Sequence, residues 1–211
     1  MKKLTRLDKY TMAKNLKNIF EEIKEKNKEK STKYDVSYVN RIADRILESF
    51  GFKGESMYIP IFKMAEEIGF AIYVQEMPDS LSGYIMVNGN TQEKYKNDKV
   101  IIVNKNDELE HKRFVIAHEF AHYLFDFLGN PEYNDISKRY VDTYRKNKHN
   151  SPEEKLANQF AAELLMPAEI FITQYYKAKK VDERSIFVIQ YLSKFFGTTE
   201  DSVIKRIGEV I

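Results

Sequence analysis

His118-Glu119-Phe120-Ala121-His122 places two imidazoles and a carboxylate within five residues. On an α-helix, residues four apart differ by about 40° around the axis and about 6 Å along it, so both imidazoles project from one side. Two ring nitrogens so placed can bind one Zn2+ at about 2.0–2.1 Å each. Glu119 lies about 100° further round, within reach of a water at that ion without being a ligand itself. One helical turn therefore offers two metal ligands and a general base. The neighbours Val115, Ile116, Phe120, Leu124 and Phe125 are apolar on nearly every side, which marks a buried helix. Two imidazoles and a carboxylate destabilise such a helix unless they find partners, and one ion satisfies all three.

A third ligand has to come from elsewhere. The metzincin pattern would need a glycine at 125 and a histidine at 128, where the chain has Phe125 and Leu128. Asp126 shares the face of His122, but three ligands from one straight helix make poor tetrahedral geometry, so it is assigned to support or to solvent. His111 stands two turns before His118, roughly 10 Å away. The next helical stretch, Glu153 to Pro167, is the better source, because Glu154, Ala157, Asn158 and Ala161 share one face. Small alanines permit close packing on the metal-binding helix. Glu154 is then the third ligand, and Asn158 is placed to hydrogen-bond an imidazole N–H and fix its tautomer. Ser151-Pro152-Glu153-Glu154 also reads as a capping box, in which Glu154 would turn back to the Ser151 backbone. One carboxylate does not readily do both, and the alanine face favours the ligand.

These residues need a scaffold. Met12, Leu16, Ile19 and Ile23 form one stripe of a first helix, and Val39, Ile42, Ala43, Ile46, Leu47 and Phe50 one face of a second. The second is capped by Asp35 or Ser37 and closed by Gly51. Pro60 opens a short third helix that ends at Gly69. Residues 70–75, 83–87 and 99–103 are rich in β-branched and aromatic residues and are separated by turn chemistry, which predicts a small antiparallel sheet. A long helix spans about 107–128. A polar loop over 129–150 carries Tyr133, Tyr140, Tyr144 and His149, and the rest of the chain reads as helical. Strands and helices are segregated, so the class is α+β. The predicted organisation is an N-terminal helical segment with a basic arm (1–54), a metal-binding core (55–170) and a C-terminal helical, helix-turn-helix-like segment (171–211).

Composition excludes several alternatives. The 211 residues contain no cysteine, so disulfides, iron–sulfur clusters, thiolate metal ligands and thiol nucleophiles are ruled out. No apolar run approaches the ~18 residues of a membrane span, and Asp8, Lys9 and Lys14 interrupt what would be the apolar part of a signal peptide. The expectation is a cytoplasmic protein without a membrane partner. Residues 1–33 carry 11 Lys/Arg against five Asp/Glu, and the other 178 carry 23 against 27. Such an arm could touch nucleic acid or an acidic partner, but the preferred reading is a solvated, lysine-rich helix.

Gly83-Tyr84-Ile85, the strand Val100 to Asn104, Arg113-Phe114 through His122, and Ala157 to Pro167 together resemble the ImmA/IrrE family of zinc-dependent peptidases over roughly residues 55–170. Leu156 departs from the pattern, standing where the family commonly has an acidic residue. The resemblance implies a zincin-like core with a gluzincin-type site of two His and one Glu holding one Zn2+. It also implies cleavage of a helix-turn-helix transcriptional repressor in stress response or mobile-element induction.

In that mechanism Glu119 is the general base, and an oxyanion donor comes from Tyr140, Tyr144 or His149. The strand 99–104 offers its edge to an extended substrate. A rival lies in Tyr191 to Ile207, which is patterned like a helix-turn-helix with Lys205 and Arg206 on its second helix. On that reading the protein binds DNA, or is a regulator with a metal site that senses rather than cuts. Glu200 and Asp201 at the leading end of the second helix would face phosphates unfavourably. A packing or repressor-docking role is preferred.

Overall fold

The computed structural model describes residues 6–29, 34–52, 58–88, 91–133, 140–145 and 151–211. Helix α1 (Arg6–Asn27) lays its apolar stripe inward, with Met12, Leu16, Ile19 and Ile23 buried. In α2 (Val36–Ser49) the Asp35 side chain accepts from the Tyr38 amide, and one face from Tyr38 to Leu47 is buried. Helix α3 (Ile61–Ile68) begins after Pro60 and stops at Gly69 in the left-handed region, φ 101°, which glycine adopts without a Cβ clash.

Strands β1 (Ala71–Gln75), β2 (Leu81–Val87), β3 (Lys99–Asn104) and β4 (Tyr140–Arg145) form one sheet in the order β1-β3-β2-β4. A short helix α4 (Thr91–Tyr95) joins β2 to β3. The sheet is mixed rather than wholly antiparallel. β2 reverses on β1 and β3 reverses on β2, so when β3 inserts between them it must run parallel to β1. β4 then pairs antiparallel on the far side of β2. It lies within the stretch expected to be a polar loop. Tyr140, Val141, Thr143 and Tyr144 carry the β-branched and aromatic signal of a strand, interrupted by Asp142.

Successive side chains alternate between the two faces of a sheet. Ile85, Val87, Ile101 and Val103 join the main core, while Met86, Val100 and Ile102 form a small second cluster under Tyr95 and Tyr73. Helix α5 (Leu109–His122) packs on the core face. It continues into a π-helical turn (Tyr123–Phe127). Helices α6 (Pro152–Leu165), α7 (Ala168–Val181), α8 (Ser185–Phe196) and α9 (Glu200–Val210) complete the chain. One apolar cluster runs from Met12 in α1 to Val203 in α9.

Candidate metal centre

Two close approaches set the site. A Cβ at Gly83 would sit 2.5 Å from Val115 Cγ1 and 2.8 Å from the Ile102 carbonyl. Glycine there lets α5 lie directly on β2. On the other side of α5, buried Ala157 and Ala161 bring α6 near, and Phe160 meets Phe120 and Phe125 edge-on.

His118, His122 and Glu154 consequently converge, with one possible ligand atom from each lying within 4.8 Å of the others. The two Nε2 atoms are 2.9 Å apart. Glu154 sets one oxygen 3.4 Å from His118 Nε2 and the other 3.5 Å from His122 Nε2. A tetrahedral ion with bonds of about 2.0–2.1 Å would separate its ligands by roughly 3.3 Å. The triangle therefore has the size such an ion needs. Ser151 caps α6 by accepting from the Glu154 amide, so the backbone half of the capping box forms while the Glu154 carboxylate faces the imidazoles.

The outer ring nitrogens fix the chemistry of the inner ones. His118 Nδ1 lies 3.1 Å from Asn158 Oδ1, and His122 Nδ1 lies 2.6 Å from Asp126 Oδ2. A carboxylate accepts, so His122 carries its proton on Nδ1, and the amide oxygen assigns the same tautomer to His118. Both Nε2 lone pairs then point at each other and at Glu154. Burial pushes the His118 pKa down to about 4 and keeps the ring neutral. Burial opposes ionisation of Glu154 as well, but its proximity to both imidazoles holds its carboxyl well below the usual range. Neutral imidazoles and an ionised carboxylate are the ligand states that zinc requires. The donor set fits the ion. Glu119 is fully buried on the same turn.

Tyr144 closes another side. Its ring stands edge-on to His118, centroids 4.5 Å apart, and burial, with Glu154 and Glu119 nearby, pushes its pKa up to about 12. A register shift in β2 between Leu81 and Gly83 sets Tyr144 opposite Gly83. At that shift the buried Ser82 hydroxyl lies 2.9 Å from His111 Nε2. His111 thus braces the sheet beside the centre and is not part of it. The backbone of Tyr140 sits four residues along β4, opposite Val87, about 13 Å from Tyr144 at ordinary strand rise, and its side chain is not described. His149 lies outside the described residues. β3 is interior, flanked by β1 and β2. The edge beside the site belongs to β4, which corrects the expectation that strand 99–104 presents its edge.

The family model for the IrrE N-terminal-like domain, a peptidase family, matches residues 69–208. The chain belongs to this family. The IrrE-like segment takes in α5 and α6 and therefore every residue of the His/His/Glu cluster, while α1 and α2 precede it. Nothing among curated proteins matches the chain. Among solved structures, a Mycobacterium tuberculosis transcriptional regulator superposes with a TM-score of 0.51 at 18% identity, covering 90% of this chain and 51% of that one. The IrrE-like chain spans about half the length of that regulator, and the likeness is one of fold.

Two buried arginines tie the C-terminal helices to the IrrE-like core. Arg113 on α5 donates to the carbonyls of Ile59 (2.7 Å), Gly197 (2.8 Å) and Phe196 (3.2 Å). Its guanidinium lies 3.9 Å from the Tyr58 ring centroid. Arg206 on α9 pairs with Glu163 on α6 and donates to the Met166 carbonyl. Arg206 is 1% exposed. Of the two basic residues that the helix-turn-helix reading placed on its second helix, Arg206 is therefore an internal strut, while Lys205 is exposed. No described helix is long and apolar enough to cross a membrane.

Proposed function

We propose that this chain is a zinc-dependent endopeptidase whose substrate is a protein, of the helix-turn-helix transcriptional repressor class. The observation that carries the reading is the convergence of two neutral imidazoles and one ionised carboxylate, with a second carboxylate, Glu119, buried on the same turn. His118 and His122, each through Nε2, and the Glu154 carboxylate would hold the ion. When bound, zinc supplies Lewis-acid polarisation of a carbonyl and a water acidified to a pKa of about 7.

Glu119 takes a proton from the attacking water and returns it to the leaving amine. Tyr144, kept protonated by its surroundings, donates a hydrogen bond to the carbonyl oxygen as charge develops there. An extended substrate segment adds to the β4 edge, which would bring its backbone past Tyr144. The choice of a repressor as substrate follows the resemblance to ImmA/IrrE peptidases and agrees with the regulatory name of the structural neighbour.

The test is co-expression with candidate helix-turn-helix repressors, followed by mass spectrometry of their fragments. Glu119→Gln should keep its zinc and lose cleavage. Wild-type cleavage by a zinc-loaded Glu119→Gln protein would remove Glu119 as the base. Zinc binding with no cleavage of any candidate repressor would favour the sensor reading. For the third ligand, Glu154→Gln should weaken zinc binding and Glu153→Gln should not; the reverse would reassign it.

A further inference from the structure

The turn that carries Asp126 depends on a helix almost a hundred residues away. Over Tyr123–Phe127 the chain widens into a π-helical turn, which displaces carbonyls from the regular α-helical ladder. Buried carbonyls in such a turn need donors from elsewhere. Asn27, the last residue of α1, supplies them: its Nδ2 donates to the Leu124 carbonyl at 2.8 Å and to the Leu128 carbonyl at 2.7 Å. The Tyr34 hydroxyl in turn donates to Asn27 Oδ1, and the Tyr34 ring packs 5.0 Å from Phe125. Gly129, at φ 74°, closes the turn against α1 so tightly that a Cβ there would lie 2.3 Å from Lys24 Cγ. Asp126, inside the turn, accepts from His122 Nδ1, while Asn130 donates to the Asp126 carbonyl.

We infer that Asn27 is a positioning residue for the metal centre. It holds the π-helical turn in the form that presents Asp126 to His122, and so fixes the tautomer and orientation of that ligand. The inference rests on the reading of His118, His122 and Glu154 as a metal site, but not on peptidase activity. It gives the N-terminal helix, which lies outside the IrrE-like match, a share in metal binding. A metal ligand's hydrogen-bond partners typically tune affinity 10–100-fold. Asn27 acts one step further out, through Asp126.

The experiment is zinc affinity of the full chain, measured by competition with a chromophoric chelator. Asn27→Ala should weaken zinc about tenfold, at the low end of that range. In an Asp126→Ala background the same change should have little further effect, since both act through one imidazole. Leu16→Ala, which loosens α1 away from the turn, should leave zinc affinity unchanged. If Asn27→Ala does not fold, Tyr34→Phe tests the same chain of contacts and should weaken zinc roughly threefold, the scale of one net hydrogen bond. Unchanged affinity in Asn27→Ala and Tyr34→Phe would overturn the inference. So would full additivity with Asp126→Ala, or an equal loss in Leu16→Ala. A wild-type chain that binds no zinc would instead remove the metal reading beneath it.

Discussion

Helix α6 carries a polar cluster at each end, and the two are built on opposite logic. At its C-terminal end, Glu163 meets Arg206, whose Nη1 also reaches Glu209 at 3.0 Å, and the other Glu163 oxygen accepts from the Ala168 amide at 2.9 Å. Charge there is matched by charge. At its N-terminal end, Glu154 faces two neutral imidazoles whose lone pairs point inward at a spacing of 2.9 Å. Like partial charges gathered at short range in a low-dielectric interior raise the energy of the folded state. A cation in their midst reverses the sign. The first cluster is complete as a strut, whereas the second has the composition of a socket.

The largest effect should come from breaking the strut. Arg206→Met leaves Glu163 buried beside no guanidinium and should cost about 3–5 kcal/mol, read as a lower urea midpoint with little change in zinc affinity. The socket should behave oppositely: zinc at about 100 times its Kd should add roughly 2.7 kcal/mol, and chelation should remove it. Glu154→Gln should abolish most of that metal-dependent gain in Tm while leaving the metal-free protein folded. Asn158→Ala, which frees His118 Nδ1, should weaken zinc about 10–100-fold.

The smallest effect concerns Asp44 on α2. Partial desolvation, then Glu163 and Glu48, push its pKa up to about 6, although the residue is exposed on α2. An acid whose folded pKa lies above its unfolded value of 3.8 contributes stability that is full below that value and lost as pH rises through 6. Asp44→Asn should therefore match the wild type near pH 4 and exceed it in urea midpoint above pH 7. Equal midpoints at both pH values would show that neither desolvation nor the neighbouring carboxylates raise the Asp44 pKa in the folded state.

The chemistry of the socket was legible because helical periodicity is local. Four-residue spacing sets His118 and His122 side by side whatever the rest of the chain does, and the alanine face of α6 announced a close neighbour. The helices α1 to α3 were legible from equally local signals, the stripes through Ile19 and Ile42 and the boundary residues Pro60 and Gly69. β4 was not, since a strand's identity rests on the partner that accepts its hydrogen bonds. The parallel pairing of β1 with β3 was equally hidden, because strand order depends on which neighbours the core selects. Nor does any short-range pattern connect Asn27 to Leu124 or Arg206 to Glu163. The sequence alone determined which side chains can take metal and which turn of helix presents them. Tertiary structure decided how tightly the triangle closes, which tyrosine stands over it and which distant amide holds its support, because each of those contacts closes a long loop whose entropy only the folded core can offset.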